Sequence, residues 1–181
     1  MKVCITGSSS GIGLAAKKLF LSKGFDLVLF DRSDECDLEK NLDAFLSSDF
    51  DVYVNNAHSG FKQVELLYKL WELNNERECT IINIGSVSSD GNKDYVNNYA
   101  VEKSALEKAC TQLQLINSGM KVSLLKLGRV DTPMVEHIQN VPKLDTTYVV
   151  DAINWIIDQP TNIVIKNLTL DVMNSRGMKV K

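Results

Sequence analysis

Val3-Cys4-Ile5-Thr6-Gly7-Ser8-Ser9-Ser10-Gly11-Ile12-Gly13 stands at the start of the chain, and its reading decides the fold. The first four residues are a short apolar run suited to a buried strand. They enter a loop spaced Gly-x-x-x-Gly-x-Gly. A helical pattern follows through Leu14, Lys17, Lys18 and Leu21, with Gly24 placed to end it at the C′ position. Phe25 to Phe30 reads as a second strand closing on Asp31. Strand, glycine turn, helix and strand in this order open a doubly wound α/β sheet.

The loop has a chemical reading. Gly7 suits a tight turn, Gly11 lets the backbone approach a pyrophosphate, and Gly13 permits close packing of helix on strand. A helix N-terminus offers unpaired N–H groups and a positive dipole end to such an anion. Asp31 lies 24 residues after Gly7, at the end of the next strand, where a carboxylate accepts hydrogen bonds from an adenosine ribose. The alternative is a plain tight turn followed by a solvated aspartate.

Outward from this unit the pattern continues. Only Arg32 to Cys36 separates the second strand from Asp37-Leu38, too little for a crossover helix; a helix is then expected, with Asp37 as N-cap and Leu38, Leu42, Phe45 and Leu46 on one face. Asp51 to Asn55 reads as a buried strand, Val64 to Leu73 as a short helix and Thr80 to Ile84 as a strand. Tyr95 to Ile116 carries a long helix ended by Ser118-Gly119, and Lys121 to Leu127 returns as a strand. Thr146 or Thr147 caps a last helix containing Val149, Val150, Ile153, Ile156 and Ile157, and Ile163 to Leu170 closes the sheet. The tail from Met173 to Lys181 is polar and basic. The expectation is one α/β domain over residues 1–181, without repeats or linkers.

Composition excludes other classes. The 20 Lys+Arg against 23 Asp+Glu give net −3, so there is no basic field for a nucleic acid backbone. Apolar runs are short and strand-like, no signal-peptide core follows Met1, and the chain is expected in the cytoplasm with no membrane partner. Cys4, Cys36, Cys79 and Cys110 form no C-x-x-C pair, and His58 and His137 have no ligand-like spacing. Reduced thiols are expected, with no metal site.

Three further segments carry the chemistry. Asn55-Asn56-Ala57 ends the fourth strand, Ser86 ends the fifth, and Tyr99-Ala100-Val101-Glu102-Lys103 lies on the long helix. Tyr99 and Lys103 are four apart and share a helix face, and Ser86 precedes Tyr99 by 13 residues. Together with Thr6-Gly7-x-x-x-Gly11-x-Gly13, this resembles the short-chain dehydrogenase/reductase family nearly end to end, through Val122 to Met134 and the terminal helix and strand.

The resemblance implies a single Rossmann-like, doubly wound parallel sheet with helices on both faces, lacking here the helix between strands two and three. It implies an NAD(P)-dependent oxidoreductase acting on a carbonyl or alcohol. Tyr99 is then the acid/base, Ser86 the donor to the oxyanion, and Lys103 the group that tunes Tyr99 and holds the nicotinamide ribose. Gly7, Ser8, Ser9, Ser10, Gly11, Ile12 and Gly13 line the pyrophosphate, and Asp31 the ribose. Asp37-Leu38 corresponds to an Asp-Val pair beside the adenine; Asn56 and Ala57 lie along the central ribose; Val130 and Thr132 contact the carboxamide and phosphate. NAD(H) is expected over NADP(H), because Asp31 repels a 2′-phosphate and Ser10 is neutral, although Arg32 could clamp one. The apolar faces of the long helix (Val101, Ala105, Leu106, Ala109, Cys110, Leu113, Ile116) suggest a homodimer or homotetramer.

The chain also departs from the pattern. Only 30 residues separate Asn56 from Ser86, and the Asn that the family carries in the intervening helix has no counterpart, Asn74 and Asn75 lying at its wrong end. Asn-Asn-Ala-Gly has become Asn55-Asn56-Ala57-His58, and Pro-Gly has become Leu127-Gly128. His58 reads as a loop residue, with a catalytic role beside the nicotinamide as the alternative. Ten residues between Met134 and Asp145 leave a short lid, so the substrate is not specified. The competing function is a dinucleotide-binding redox sensor without turnover.

Overall fold

The computed structural model describes residues 1–31, 49–91, 95–116 and 118–173. Among these, β1 (Lys2–Thr6), α1 (Gly11–Ser22), β2 (Asp26–Phe30), β3 (Val52–Asn55), α2 (Lys62–Asn74), β4 (Cys79–Ser86), α3 (Asn98–Leu113), β5 (Met120–Leu127), α4 (Thr146–Ile157) and β6 (Asn167–Leu170) follow in order. The strands form one parallel sheet in the order β2-β1-β3-β4-β5-β6. The order reverses between β1 and β3, and in such sheets the crevice beyond the strand C-termini at this point is the binding position. The expected doubly wound α/β architecture is therefore what the chain adopts.

Parallel strands covered on both faces must be apolar throughout, which explains the unbroken burial of β3 and most of β4. Alternate residues serve two cores. Cys4, Tyr53, Ile81, Val122 and Leu124 meet Leu66, Leu67 and Leu70 of α2 and Leu106, Ala109, Cys110 and Leu113 of α3. Val3, Ile5, Val52, Val54, Ile82, Ile84 and Leu125 meet Ala16 and Phe20 of α1 and Val149, Val150, Ile153 and Ile156 of α4. Each such aliphatic side chain contributes about 1.5–3 kcal/mol when fully buried.

Gly24 ends α1 as the sequence suggests. Its φ is +72°, its N–H donates to Leu21 O and that of Phe25 to Phe20 O, while the Phe20 and Phe25 rings stack 5.6 Å apart. Several boundaries differ from expectation, among them these. The long helix starts at Asn98, because the Asn97 side chain accepts from Ala100 N–H and caps it, and it stops at Leu113. Asp145, not a threonine, caps α4 by accepting from Thr147 N–H at 2.8 Å. Of the segment from Ile163 to Leu170 only the last four residues pair as a strand; Ile163 and Val164 are exposed.

The strand ending in Asn55-Asn56-Ala57 is the third described strand and that ending in Ser86 the fourth, one fewer than the sequence count. Asp37-Leu38, the helix through Leu46, Arg32 and Cys36 lie outside the described residues, as does the tail beyond Met173. Cys4, Cys79 and Cys110 are free and buried; burial pushes the Cys79 thiol up to about 11 and the other two further. No described helix is long and apolar enough to cross a membrane.

Candidate active site

At the β1/β3 switch point the chain leaves a cleft of about 1510 Å³, above the ~300–1,000 Å³ usual for small-ligand pockets. One end is the glycine loop. Gly7 and Gly11 have φ of +71° and +50°, the left-handed region that favours glycine. A Cβ on Gly13 would run into the Gly7 carbonyl, and one on Gly11 would come within 3.0 Å of Thr132 Cγ2. The turn is fixed from across the sheet. Asn56 Nδ2 donates to Thr6 O at 2.9 Å and Gly7 O at 3.2 Å, while Thr6 Oγ1 accepts from the Asn56 and Ala57 amides. Ser10 begins α1 with no side-chain cap and no acid in the first turn, which leaves the helix end open to an anion.

Asp31 lines the same end of the cleft with Ser9, Ser10 and Ile12, and Ala57, Val130 and Thr132 line it further along. Ser8 and Gly13 stand behind the lining, Ser8 buried and Gly13 packed on Gly7. The loop carrying Val130 is tied down by Asp131 N–H to Leu144 O and Leu144 N–H to Arg129 O.

Ser86, Tyr99 and Lys103 meet at the other end. Ser86 is buried at the tip of β4 and its Oγ accepts from Ser88 N–H at 3.1 Å, so its own hydrogen is left to donate. The turn beyond it is braced on α3: Ser89 Oγ lies 2.8 Å from Ser86 O and 2.6 Å from Glu107 Oε2, its single hydrogen shared between the two acceptors, and Lys126 pairs with Glu107 and Asp90. Burial pushes the Tyr99 phenol up, the Ser86 hydrogen bond pulls it down, and the Glu102 charge pushes it up again.

Lys103 is almost fully buried, its ammonium 5.5 Å from the Tyr99 ring centroid. It donates to Gln63 Oε1 and to Ile84 O, each at 2.7 Å. Two of its three hydrogens are thus committed and the third remains for a ligand. Burial brings it down to about 8 against an upward pull from Glu102.

Sequence reasoning missed Gln63. It sits in the first turn of α2, buried, with Nε2 donating to Asn55 O at 2.7 Å. Its sign was a polar residue at the head of the stripe Leu66, Leu67, Leu70, which requires a buried partner. Asn55, by contrast, is structural: its Nδ2 donates to Gln63 O and Asn83 Oδ1 inside the sheet. The loop residue His58 lies against the site, its Nε2 3.0 Å from Glu102 Oε2.

No family model matches the chain. An uncharacterized oxidoreductase of Staphylococcus epidermidis is 24% identical over 217 aligned positions, covering 92% of this chain and 94% of the relative. Among solved structures, a short chain dehydrogenase/reductase family protein superposes with a TM-score of 0.79 at 20% identity, covering 94% of this chain and 95% of that one. A 4-hydroxyisoleucine dehydrogenase complexed with NADH gives 0.75 at 22% identity, with 94% and 96% covered. An alcohol dehydrogenase from Thermococcus sibiricus complexed with 5-hydroxy-NADP gives 0.71 at 19% identity, with 94% and 97% covered. The fold is the one these dehydrogenases share.

Proposed function

We propose that this chain, folded as the short-chain dehydrogenase/reductases are, is a nicotinamide-dependent oxidoreductase that interconverts a carbonyl and an alcohol on a small molecule. The observation that carries the reading is one cleft with an open glycine-loop helix end and Asp31 at one side and Ser86, Tyr99 and Lys103 at the other. The named oxidoreductases and dehydrogenases among its likenesses agree with it.

The loop amides and the α1 N-terminus would hold the pyrophosphate, and Asp31 the adenosine ribose. When bound, the nicotinamide supplies or accepts the hydride. Ser86 donates to the substrate oxygen where charge develops. Tyr99 gives that oxygen a proton, or takes one from it in the oxidative direction. Lys103, with one hydrogen uncommitted, would hold the nicotinamide ribose and favour the phenolate form of Tyr99.

NAD(H) is the expected cofactor, since Asp31 would accept from the ribose hydroxyls and repel a 2′-phosphate. The relatives at hand span both kinds, one complexed with NADH and one with an NADP derivative. The whole chain would work as one domain, in the cytoplasm, as a homo-oligomer paired through α3. Exposed Val101, Leu115 and Ile116 support that pairing, although Ser104 and Lys108 make the outer face of the helix more polar than its sequence suggests.

The test is fluorescence titration with NADH and NADPH, followed by turnover against a panel of aldehydes, ketones and 2-oxo acids and, with NAD⁺, their alcohols. Tighter NADH binding and reduction of at least one carbonyl are expected. Failure to bind either dinucleotide would overturn the reading, and binding without any turnover would favour a sensor.

A further inference from the structure

His58 occupies the loop that follows Asn55-Asn56-Ala57, and three contacts tie it to the catalytic end of the cleft. Its Nε2 lies 3.0 Å from Glu102 Oε2, with both side chains mostly shielded from water. Its ring meets the Tyr99 ring edge to face, centroids 4.9 Å apart and planes at 78°. Edge-to-face packing of this kind favours one orientation of the two rings. Tyr99, Glu102 and Lys103 are three and four apart on α3, so the carboxylate lies on the same helix face as the phenol and the ammonium.

A carboxylate one turn from a phenol that must ionise works against it. The charge of Glu102 raises the proton affinity of Tyr99 and also helps to keep Lys103 charged. The site therefore needs Glu102 held close to Lys103 yet restrained in its effect on Tyr99. We propose that His58 is a positioning residue for Tyr99: its ring orients the phenol, its Nε2–H engages the Glu102 carboxylate, and the pair sets the pH at which Tyr99 releases its proton. This rests on the reading of Tyr99 as the acid/base.

The tautomer follows from the partner. A carboxylate only accepts, so Nε2 carries the hydrogen and Nδ1 a lone pair, buried with no hydrogen-bond partner among the described residues. The charged groups around the imidazole are Glu102 and Lys103 of α3, with Tyr99 the third titratable neighbour. From α2 comes the uncharged Gln63, while Lys62 and Glu65 pair with each other at 3.1 Å on its exposed side. Burial and Lys103 hold the imidazole below its ordinary value, while Glu102 and Gln63 pull it up. At neutral pH His58 is thus neutral and acts through its hydrogen bond. On acidification it gains a proton at Nδ1 and cancels the Glu102 charge.

The experiment measures kcat/KM against pH for oxidation of the best alcohol of the panel with NAD⁺, in the wild type and three variants. His58→Phe keeps an aromatic ring but loses the donor, so the acid limb should move up by about one unit, with NADH affinity unchanged. His58→Phe/Glu102→Gln removes the uncompensated charge, and the limb should return to the wild-type position or below. His58→Gln keeps a donor but loses the ring, so its acid limb should stay at the wild-type position while kcat/KM falls at every pH. A uniform loss of rate at every pH in His58→Phe, or a double variant that does not reverse the shift, would overturn the proposal. Ultraviolet difference titration against Tyr99→Phe follows the same phenol without turnover. There His58→Phe should titrate above the wild type and the double variant below it. Absence of turnover would thus sink the functional reading alone, whereas loss of this order would sink the pair.

Discussion

Replacing Lys103 by methionine should change how the stability of the protein depends on pH, by an amount that follows from burial. The ammonium is 3% exposed and its pKa falls from 10.5 in the unfolded chain to about 8 in the folded one. With the folded value depressed below the unfolded one, the unfolded state binds more protons between these limits, so the contribution of Lys103 to stability rises with pH across that window. The fall from 10.5 to about 8, at about 1.4 kcal/mol per pH unit, amounts to a gain of roughly 3–4 kcal/mol from below pH 8 to above 10.5. Lys103→Met lacks this titration. It also leaves Gln63 Oε1 and Ile84 O without their donor, a penalty of about 1–3 kcal/mol for each that does not vary with pH. Urea unfolding of both proteins at several pH values, each carrying Tyr99→Phe so that the phenol Lys103 tunes does not titrate, isolates the effect. The stability difference should widen in favour of the protein that keeps Lys103 by roughly 3–4 kcal/mol as pH rises through the window. Parallel curves would refute the argument that Lys103 is held charged against burial.

Tyr99→Phe should abolish turnover while leaving the NADH dissociation constant nearly unchanged, and Ser86→Ala should lose about 10²–10³ in kcat, the cost of one donor to a developing oxyanion; steady-state kinetics with NADH titration decides both. Gly13→Ala places a methyl group against the Gly7 carbonyl, so the glycine turn must shift. A loss of about 1–3 kcal/mol in stability with weaker NADH binding is expected from thermal melts and titration, and unaltered binding would argue against this turn as the phosphate cradle. Asp31→Ala should raise the affinity for NADPH relative to NADH, and an unchanged ratio would remove Asp31 from cofactor selection.

Much of this fold is legible because its determinants are local or periodic. β3 and β4 are covered on both faces, so they read as apolar runs, and Gly24 marks the end of α1 through a conformation that glycine favours. Where several residues compete for one local role the sequence is ambiguous: Asp145, Thr146 and Thr147 can each cap α4, and only the Asp145 contact with Thr147 N–H decides. The edge strand β6 is short and half exposed, so its alternation is weak. The site divides in the same way. Spacing alone puts Tyr99 and Lys103 on one helix face, whereas the partner of Lys103 is Gln63, 40 residues away on another helix. The proximity of His58 to Glu102 likewise depends on how the loop after β3 crosses α3, and no local pattern records that.

The most direct test of the account follows the hydride itself. The protein is incubated with NADH carrying deuterium at the transferred position of the nicotinamide and with the best carbonyl of the panel, and the product is examined by mass spectrometry. The account predicts one deuterium on the new carbinol carbon in the wild type and none above background in Tyr99→Phe, although both bind NADH. Wild-type protein that binds NADH yet transfers no label to any carbonyl would contradict it.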